Sequence, residues 1–164
     1  QLLNGNYRVT IKDNKNYSCW LRSVPDIAVQ SRDFAIETKI FLHSTDAGNI
    51  NDSYWLLWGV GNNGKDFYTL GIYPSGKFQY GKQVNGQWDG KAGSITSTAV
   101  NPGVNKANVL RVEKRKNEIF FFVNGIEVYK TKYETFDKNY NGVGFQWNSK
   151  KLLDIDYLKI LRGL

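Results

Sequence analysis

The 164-residue chain contains no methionine, one cysteine, one histidine and three prolines. A single cysteine, Cys19, excludes a disulfide within the chain. Its place between Ser18 and Trp20, inside an apolar run, predicts a packed and unreactive thiol. One histidine and one cysteine are too few to fill the tetrahedral ligand set of a zinc site. No apolar run approaches the roughly 20 residues that cross a bilayer, so we expect no membrane insertion.

Hydrolytic triads are also disfavoured by this composition. A Ser/His/Asp triad would have to use His43, the only histidine, and no Gly-x-Ser-x-Gly turn accompanies it. We therefore expect His43 to be a surface residue.

Basic residues are in modest excess: the chain has 22 Lys and Arg against 15 Asp and Glu, and its formal net charge is +7. Such an excess attracts nucleic acids, acidic lipids or anionic polysaccharides. The basic residues, however, occur in short groups beside expected turns, as at Lys114-Arg115-Lys116 and Lys150-Lys151. This spacing is typical of solvated turns, so we expect no nucleic-acid partner.

Aromatic residues are abundant, with five Trp, ten Tyr and nine Phe, and they favour strands over helices. Short apolar or alternating runs are separated by Asn, Gly, Asp and Ser clusters, which is the pattern of antiparallel strands joined by turns. Asn85-Gly86 and Asn124-Gly125 are strong hairpin signals. The predicted strands span residues 7–12, 17–21, 34–42, 54–60, 66–73, 77–83, 87–88, 109–115, 118–124, 126–130, 143–147 and 152–161.

The connections between these strands complete the prediction. The first two strands form an opening pair around a turn at 12–15, and the four from residue 54 to residue 88 form a meander. Residues 89–105 form a loop with at most a short edge strand, and 133–141 a connection with room for one helical turn. The sequence thus predicts an all-β, two-sheet antiparallel jelly-roll sandwich with little or no helix, as one domain over residues 1–164.

Several segments carry a family resemblance. The succession "DFAIETKI", "YWLLWGV", "DFYTLGIYPSGKFQYGKQVNGQW", "NVLRVEKRKNEIFFFVNGIEVYK" and "NGVGFQWNSKKLLDIDYLKI" resembles the concanavalin A-like lectin/glucanase superfamily over residues 34–160. It is most similar to bacterial laminin-G-like modules and to the glycosyl hydrolase-like modules called domain of unknown function 1080. The resemblance implies two stacked sheets, with the front one curved into a groove that often receives carbohydrate. Fold-level analogy alone leaves the function open.

The sequence does not match the catalytic motifs of that superfamily. Its glucanases carry Glu-x-Asp-x-x-Glu on one strand, whereas the nearest string here, Asp154-Ile155-Asp156, has no glutamate after it and indicates an exposed polar face. Its alginate-type lyases need Arg, Gln, His and Tyr around the uronate. Tyr73 could supply the tyrosine, but His43 lacks the Gln-x-His setting.

Calcium is a candidate cofactor, because Asp46, Asn49, Asn51 and Asp52 offer hard oxygen ligands in one loop. The same composition is equally that of an ordinary turn. No other cofactor is expected.

A sugar site needs aromatic platforms beside polar side chains that fix orientation. By similarity, the front-sheet candidates are Trp58, Tyr68, Tyr80, Gln146 and Trp147, with Trp88 on an adjoining loop. The leading hypothesis is a non-catalytic, lectin-like module that binds carbohydrate on the concave sheet and acts outside the cell or at its surface. The alternatives are a glycoside hydrolase of the domain of unknown function 1080 type and a protein-interaction module.

Overall fold

The computed structural model describes residues 2–3, 5–13, 15, 17–21, 32–45, 52–61, 64–90, 93–134 and 142–162. These residues form two antiparallel sheets stacked as a sandwich and contain no helix, which confirms the predicted all-β class. It follows that the described chain has no helix long and apolar enough to cross a bilayer.

Strands are numbered in chain order, and the described residues contribute seven strands to each sheet. The back sheet has the spatial order β1 (Leu2–Leu3), β2 (Asn6–Ile11), β14 (Lys151–Arg162), β4 (Phe34–Thr45), β10 (Lys106–Arg115), β11 (Glu118–Val123) and β12 (Ile126–Lys132). The front sheet has the order β3 (Tyr17–Leu21), β13 (Gly142–Trp147), β5 (Tyr54–Val60), β6 (Phe67–Tyr73), β7 (Lys77–Val84) and β8 (Gln87–Asp89), with β9 (Ile95–Thr96) also paired to β7.

The hydrophobic core lies between the sheets, and β11 shows the alternation of buried and outward-facing residues that builds it. On β11, Ile119, Phe121 and Val123 are buried, while Phe120 and Phe122 point outward and are half-buried. A strand residue and its second neighbour share one face, so burial of one set fixes the direction of the other. The sequence alone did not show this, because all five side chains are apolar.

The two Asn-Gly turns take the backbone geometry that the sequence predicts. Asn85 and Gly86 have φ angles of 52° and 81°, and Asn124 and Gly125 have the same pair of values. Two successive positive φ angles define the turn whose twist matches that of a two-residue hairpin. These turns close the β7–β8 and β11–β12 hairpins, and the predicted β5 to β8 meander is confirmed.

The predicted opening hairpin is wrong. Strand β2 pairs with β1 and β14 in the back sheet, whereas β3 pairs with β13 in the front sheet. The polar residues between them therefore carry the chain from one sheet to the other. Strand β4 also runs three residues beyond the predicted end, to Thr45, because β14 continues to pair with it there.

Candidate functional site

The outward face of the front sheet carries a row of residues in register across five strands. The residues paired in this row are Ser18, Gln146, Trp55, Gly71 and Gln79, on β3, β13, β5, β6 and β7. Directly paired residues of neighbouring strands lie on the same face of a sheet. The residues flanking Trp55 on β5 are buried in the core, so this row faces away from it.

Three aromatic side chains pack against one another on this face. The Trp55 ring meets Tyr73 edge-on, with centroids 5.8 Å apart, and meets Trp88 edge-on at 5.6 Å. Two glycines leave the space that these indoles occupy. A Cβ atom at Gly71 would overlap the Trp55 ring, and one at Gly81 would lie 2.5 Å from Trp88. Glycine in a strand interior often marks such a close approach.

These aromatic side chains lie in a groove of about 330 Å³ together with hydroxyl and amide groups. The Tyr73 hydroxyl donates to Gln79 Oε1 at 2.5 Å, and the Trp55 indole N–H donates to Ser53 Oγ at 2.6 Å. None of the described residues that line the groove carries a charge. They are Ser53, Trp55, Tyr73, Gln79, Gln83, Trp88, Gln146 and Asn148.

A buried lysine lies next to one end of the groove. Lys151 is 3% exposed, and its Nζ donates to the backbone oxygen of Ser53 at 2.8 Å and to Asn148 Oδ1 at 3.4 Å. Burial lowers the pKa of Lys151 to about 8, and the nearby Asp52 carboxylate partly opposes that change. The ammonium group therefore remains charged at neutral pH and is held against the groove wall.

Two of the six predicted binding residues line the groove. Trp88 is 46% exposed and lies on β8 rather than on a loop, and Gln146 lies in the row that contains Trp55. Their amide and indole groups meet the same space. The structure therefore brings these two residues together.

The other four predicted binding residues belong to the core, and their assignment to the groove is corrected. Trp58 is fully buried and stacks on Tyr68 with centroids 5.7 Å apart, and Tyr80 packs on Phe121 at 4.3 Å. Trp147 is also buried in this core. Each of the four lies in phase with the core-facing residues of its strand, so it cannot contact a ligand on the outward face.

Sequence analysis did not assign six of the groove residues to a sugar site: Ser53, Trp55, Tyr73, Gln79, Gln83 and Asn148. For Trp55 the reason is that β5 is apolar on both faces: its Leu57 and Val60 form, with Phe67 of β6, a second small cluster outside the main core, and Trp55 packs against this cluster. The pattern of polar and apolar residues therefore did not show which side chains of β5 point into the core and which point outward. The usable signal was the pair of glycines inside β6 and β7.

Most of the predicted calcium ligands, Asp46, Asn49 and Asn51, lie outside the described residues. Asp52 is described: it is buried, and its carboxylate accepts a hydrogen bond from the Thr45 hydroxyl. Across the described ranges no three His, Cys, Asp or Glu side chains gather in the manner of a metal site. The calcium site stays a prediction.

Carboxylates that sequence reasoning weighed for catalysis lie on the back sheet. Arg8 binds Asp154 through two hydrogen bonds of 2.8 Å, and His43 Nε2 contacts the same carboxylate at 2.8 Å. The Arg8 guanidinium holds the pKa of Asp154 well below its usual range. Asp154 therefore stays ionised and is a poor general acid, and neighbouring Asp156 is paired with Lys39.

A second cavity, of about 520 Å³, lies where β3 and β13 meet β2 and β14, and its walls are mainly apolar. Cys19 lines it and is exposed, which corrects the expectation of a packed thiol. Partial burial nevertheless raises the pKa of this thiol, so its nucleophilic thiolate form is scarce at neutral pH. Residues 22–31, which follow β3, lie outside the described chain.

Comparison with known proteins finds matches among solved structures; no family model and no curated protein matches the sequence. The carbohydrate-binding module CBM66 from Bacillus subtilis is 14% identical with a TM-score of 0.68, over 95% of this chain and 91% of that one. The Emp47p carbohydrate recognition domain is 14% identical with a TM-score of 0.65, over 99% and 90%. A human galectin-16 variant is 14% identical with a TM-score of 0.62, over 94% and 99%. The chain thus has the fold of concanavalin A-like and galectin-like lectins.

Proposed function

We propose that this protein is a lectin-like, carbohydrate-binding module that holds its glycan in the groove of the front sheet. The observation that carries the proposal is the grouping of Trp55, Tyr73 and Trp88 with uncharged amide side chains in one open groove. Aromatic rings cover the apolar C–H faces of a sugar, and amide groups exchange hydrogen bonds with its hydroxyls. The fold shared with a carbohydrate-binding module, a carbohydrate recognition domain and a galectin supports the same function.

The size of the groove favours a short ligand. Its volume of about 330 Å³ is near the lower end of the range of roughly 300–1,000 Å³ typical of small-molecule pockets. We infer a ligand segment of one or two sugar rings. An extracellular or cell-surface location, where glycans are accessible, is part of the proposal.

A glycoside hydrolase of the domain of unknown function 1080 type is the alternative that the proposal must exclude. Most glycosidases need two carboxylates flanking the scissile bond, about 5–9.5 Å apart. The described lining of the groove supplies amides and hydroxyls in their place. Binding without cleavage is therefore the expected behaviour.

The test is a screen of the protein against a glycan array and a panel of polysaccharides, with and without calcium, followed by analysis for new reducing ends. Trp88→Ala should abolish retention, because Trp88 is exposed in the groove. Phe120→Ala is the matched control, because Phe120 is a half-buried aromatic on the outward face of the back sheet.

Each outcome of the screen has a defined meaning. Retention that Trp88→Ala removes and Phe120→Ala preserves supports the proposal, and calcium-dependent retention would add the predicted metal. New reducing ends would replace the proposal with the hydrolase. Failure to retain any glycan would contradict it and favour the protein-interaction alternative, for which the apolar cavity at Cys19 is the first surface to test.

A further inference from the structure

We propose that Lys151 is a positioning residue of the groove, which fixes Asn148 so that its side-chain amide meets the ligand only as a hydrogen-bond donor. The inference rests on the proposed function and deepens it, because it assigns the chemistry of one end of the groove. The ligand group that binds there must be an acceptor oxygen, such as a ring, carbonyl or carboxylate oxygen.

The accepting capacity of Asn148 is fully used inside the protein. Its Oδ1 accepts from the Ser53 backbone N–H at 2.9 Å, from the Ser53 hydroxyl at 3.3 Å and from Lys151 Nζ at 3.4 Å. Its Nδ2 donates to no described residue, and Asn148 lines the groove while only half-buried. An amide has one accepting and one donating atom, so the donating atom is the one left for a ligand.

Local backbone geometry places Lys151 behind this amide. Ser149 has a φ angle of 61°, in the left-handed region, and so turns the chain between β13 and β14. The turn brings Asn148 and Lys151, three residues apart, to the same point. The ammonium is anchored there because it also donates to the backbone oxygen of buried Ser53.

Rotation of the Asn148 amide by half a turn is prevented by these contacts. The rotated group would direct its NH₂ at the Ser53 N–H and at the Lys151 ammonium, so that donors would face donors. Each of those buried donors would then lose an acceptor, which is costly in a low-dielectric site. The ammonium charge also polarises the amide and strengthens the bond that Nδ2 can donate.

The aromatic part of the groove contains a second donor of the same type. Gln79 Oε1 accepts from the Tyr73 hydroxyl, and its Nε2 has no partner within the described chain. The groove thus offers two oriented amide N–H groups beside Trp55. This arrangement suits a ligand that presents two acceptor oxygens across the aromatic surface.

Asn148→Asp is the sharpest variant, because it changes the donor and little else. The aspartate keeps the oxygen that Ser53 and Lys151 bind and adds an ion pair with Lys151, so the fold should be as stable as the wild type. Loss of one hydrogen bond to the ligand should weaken binding of a retained glycan by about tenfold or more. Unchanged affinity in Asn148→Asp would overturn the donor assignment.

Lys151→Met and Lys151→Arg test the positioning role. Without the ammonium, Asn148 Nδ2 should lose rigidity, seen as a lower ¹⁵N heteronuclear NOE for its side-chain amide, while that of Gln146 stays unchanged. Lys151→Met should weaken glycan binding severalfold, and Lys151→Arg should restore part of the loss. An Asn148 amide that is equally rigid in Lys151→Met would overturn the proposal. Because the NOE needs no ligand, it remains decisive even if the wild type retains no glycan, a result that would contradict the proposed function alone.

Discussion

The outward faces of the two sheets differ in how their polar groups are satisfied. On the back sheet, Arg111 bridges Glu37 and Glu113, and the Asp154 carboxylate is held by Arg8 and His43. Charged groups there bind one another in register across strands. On the front sheet the groove is lined by neutral amide and hydroxyl groups, and the amide donors of Gln79 and Asn148 have no partner among the described residues. The first arrangement stabilises the sheet internally, whereas the second leaves hydrogen-bonding capacity for a ligand.

Arg111→Met should have the largest effect on stability and none on binding. Glu113 is 4% exposed, and removal of Arg111 leaves its carboxylate and that of Glu37 with fewer partners. We expect a loss of about 2 kcal/mol in the free energy of unfolding, measured by urea denaturation. Glycan affinity of the folded variant should equal that of the wild type. A change in affinity would show that the two faces are not independent.

Gly71→Val should affect mainly glycan binding, in contrast to Arg111→Met, which should affect mainly stability. The added side chain would occupy the space of the Trp55 ring and displace it from the groove. We expect glycan affinity to fall by about 30-fold or more, equivalent to roughly 2 kcal/mol, by titration calorimetry. Gly93→Val is the matched control, because a Cβ atom there meets no neighbour within 4 Å. Equal affinity in both variants would remove Trp55 from the site.

Because Lys151 is buried, we expect the free energy of unfolding to increase as the pH rises above 8. Its pKa is about 8 in the folded protein and near 10.5 when unfolded, so between these values the unfolded chain holds a proton that the folded one has lost. Stability should therefore rise from pH 8 to pH 10, by about 2 kcal/mol relative to Lys151→Met. Tyr133 and Tyr157, whose pKa values are raised to about 12, act in the opposite direction only above pH 10. A parallel pH profile in the two proteins would contradict the buried position of Lys151.

His43→Gln should have the smallest effect. His43 contacts Asp154, which Arg8 already holds through two bonds. We expect less than about 1 kcal/mol of lost stability, because the contact is partly exposed, and no change in glycan affinity. A loss of binding or of any sugar-cleaving activity in this variant would place function on the back sheet.

Turn chemistry made much of the fold predictable from sequence. Asn85-Gly86 and Asn124-Gly125 have strong local preferences for positive φ angles, and such preferences act within a few residues. The opening hairpin was predicted wrongly because a polar turn between two strands does not show whether they share a sheet. The pairing of β3 with β13 joins residues more than a hundred positions apart, which no local pattern reveals.

The site was less predictable than the fold because β5 is apolar on both faces. Trp55 and Trp58 lie three residues apart and therefore on opposite faces of the strand, one in the groove and one in the core. Sequence favoured the wrong one of the two. Ser53 and Asn148 were missed because they flank strands and lie 95 positions apart in the sequence, although they are hydrogen-bonded to each other in the fold.

The most direct test of the account is an NMR titration of the ¹⁵N-labelled protein with a glycan that the screen identifies. The indole N–H signals distinguish the faces, because Trp55 and Trp88 line the groove while Trp58 and Trp147 are buried in the core. We predict the largest shifts for Trp55, Trp88 and the side-chain amides of the groove. Shifts centred on the back sheet or around Cys19, with Trp55 and Trp88 unchanged, would contradict the assignment of the glycan site to the front sheet.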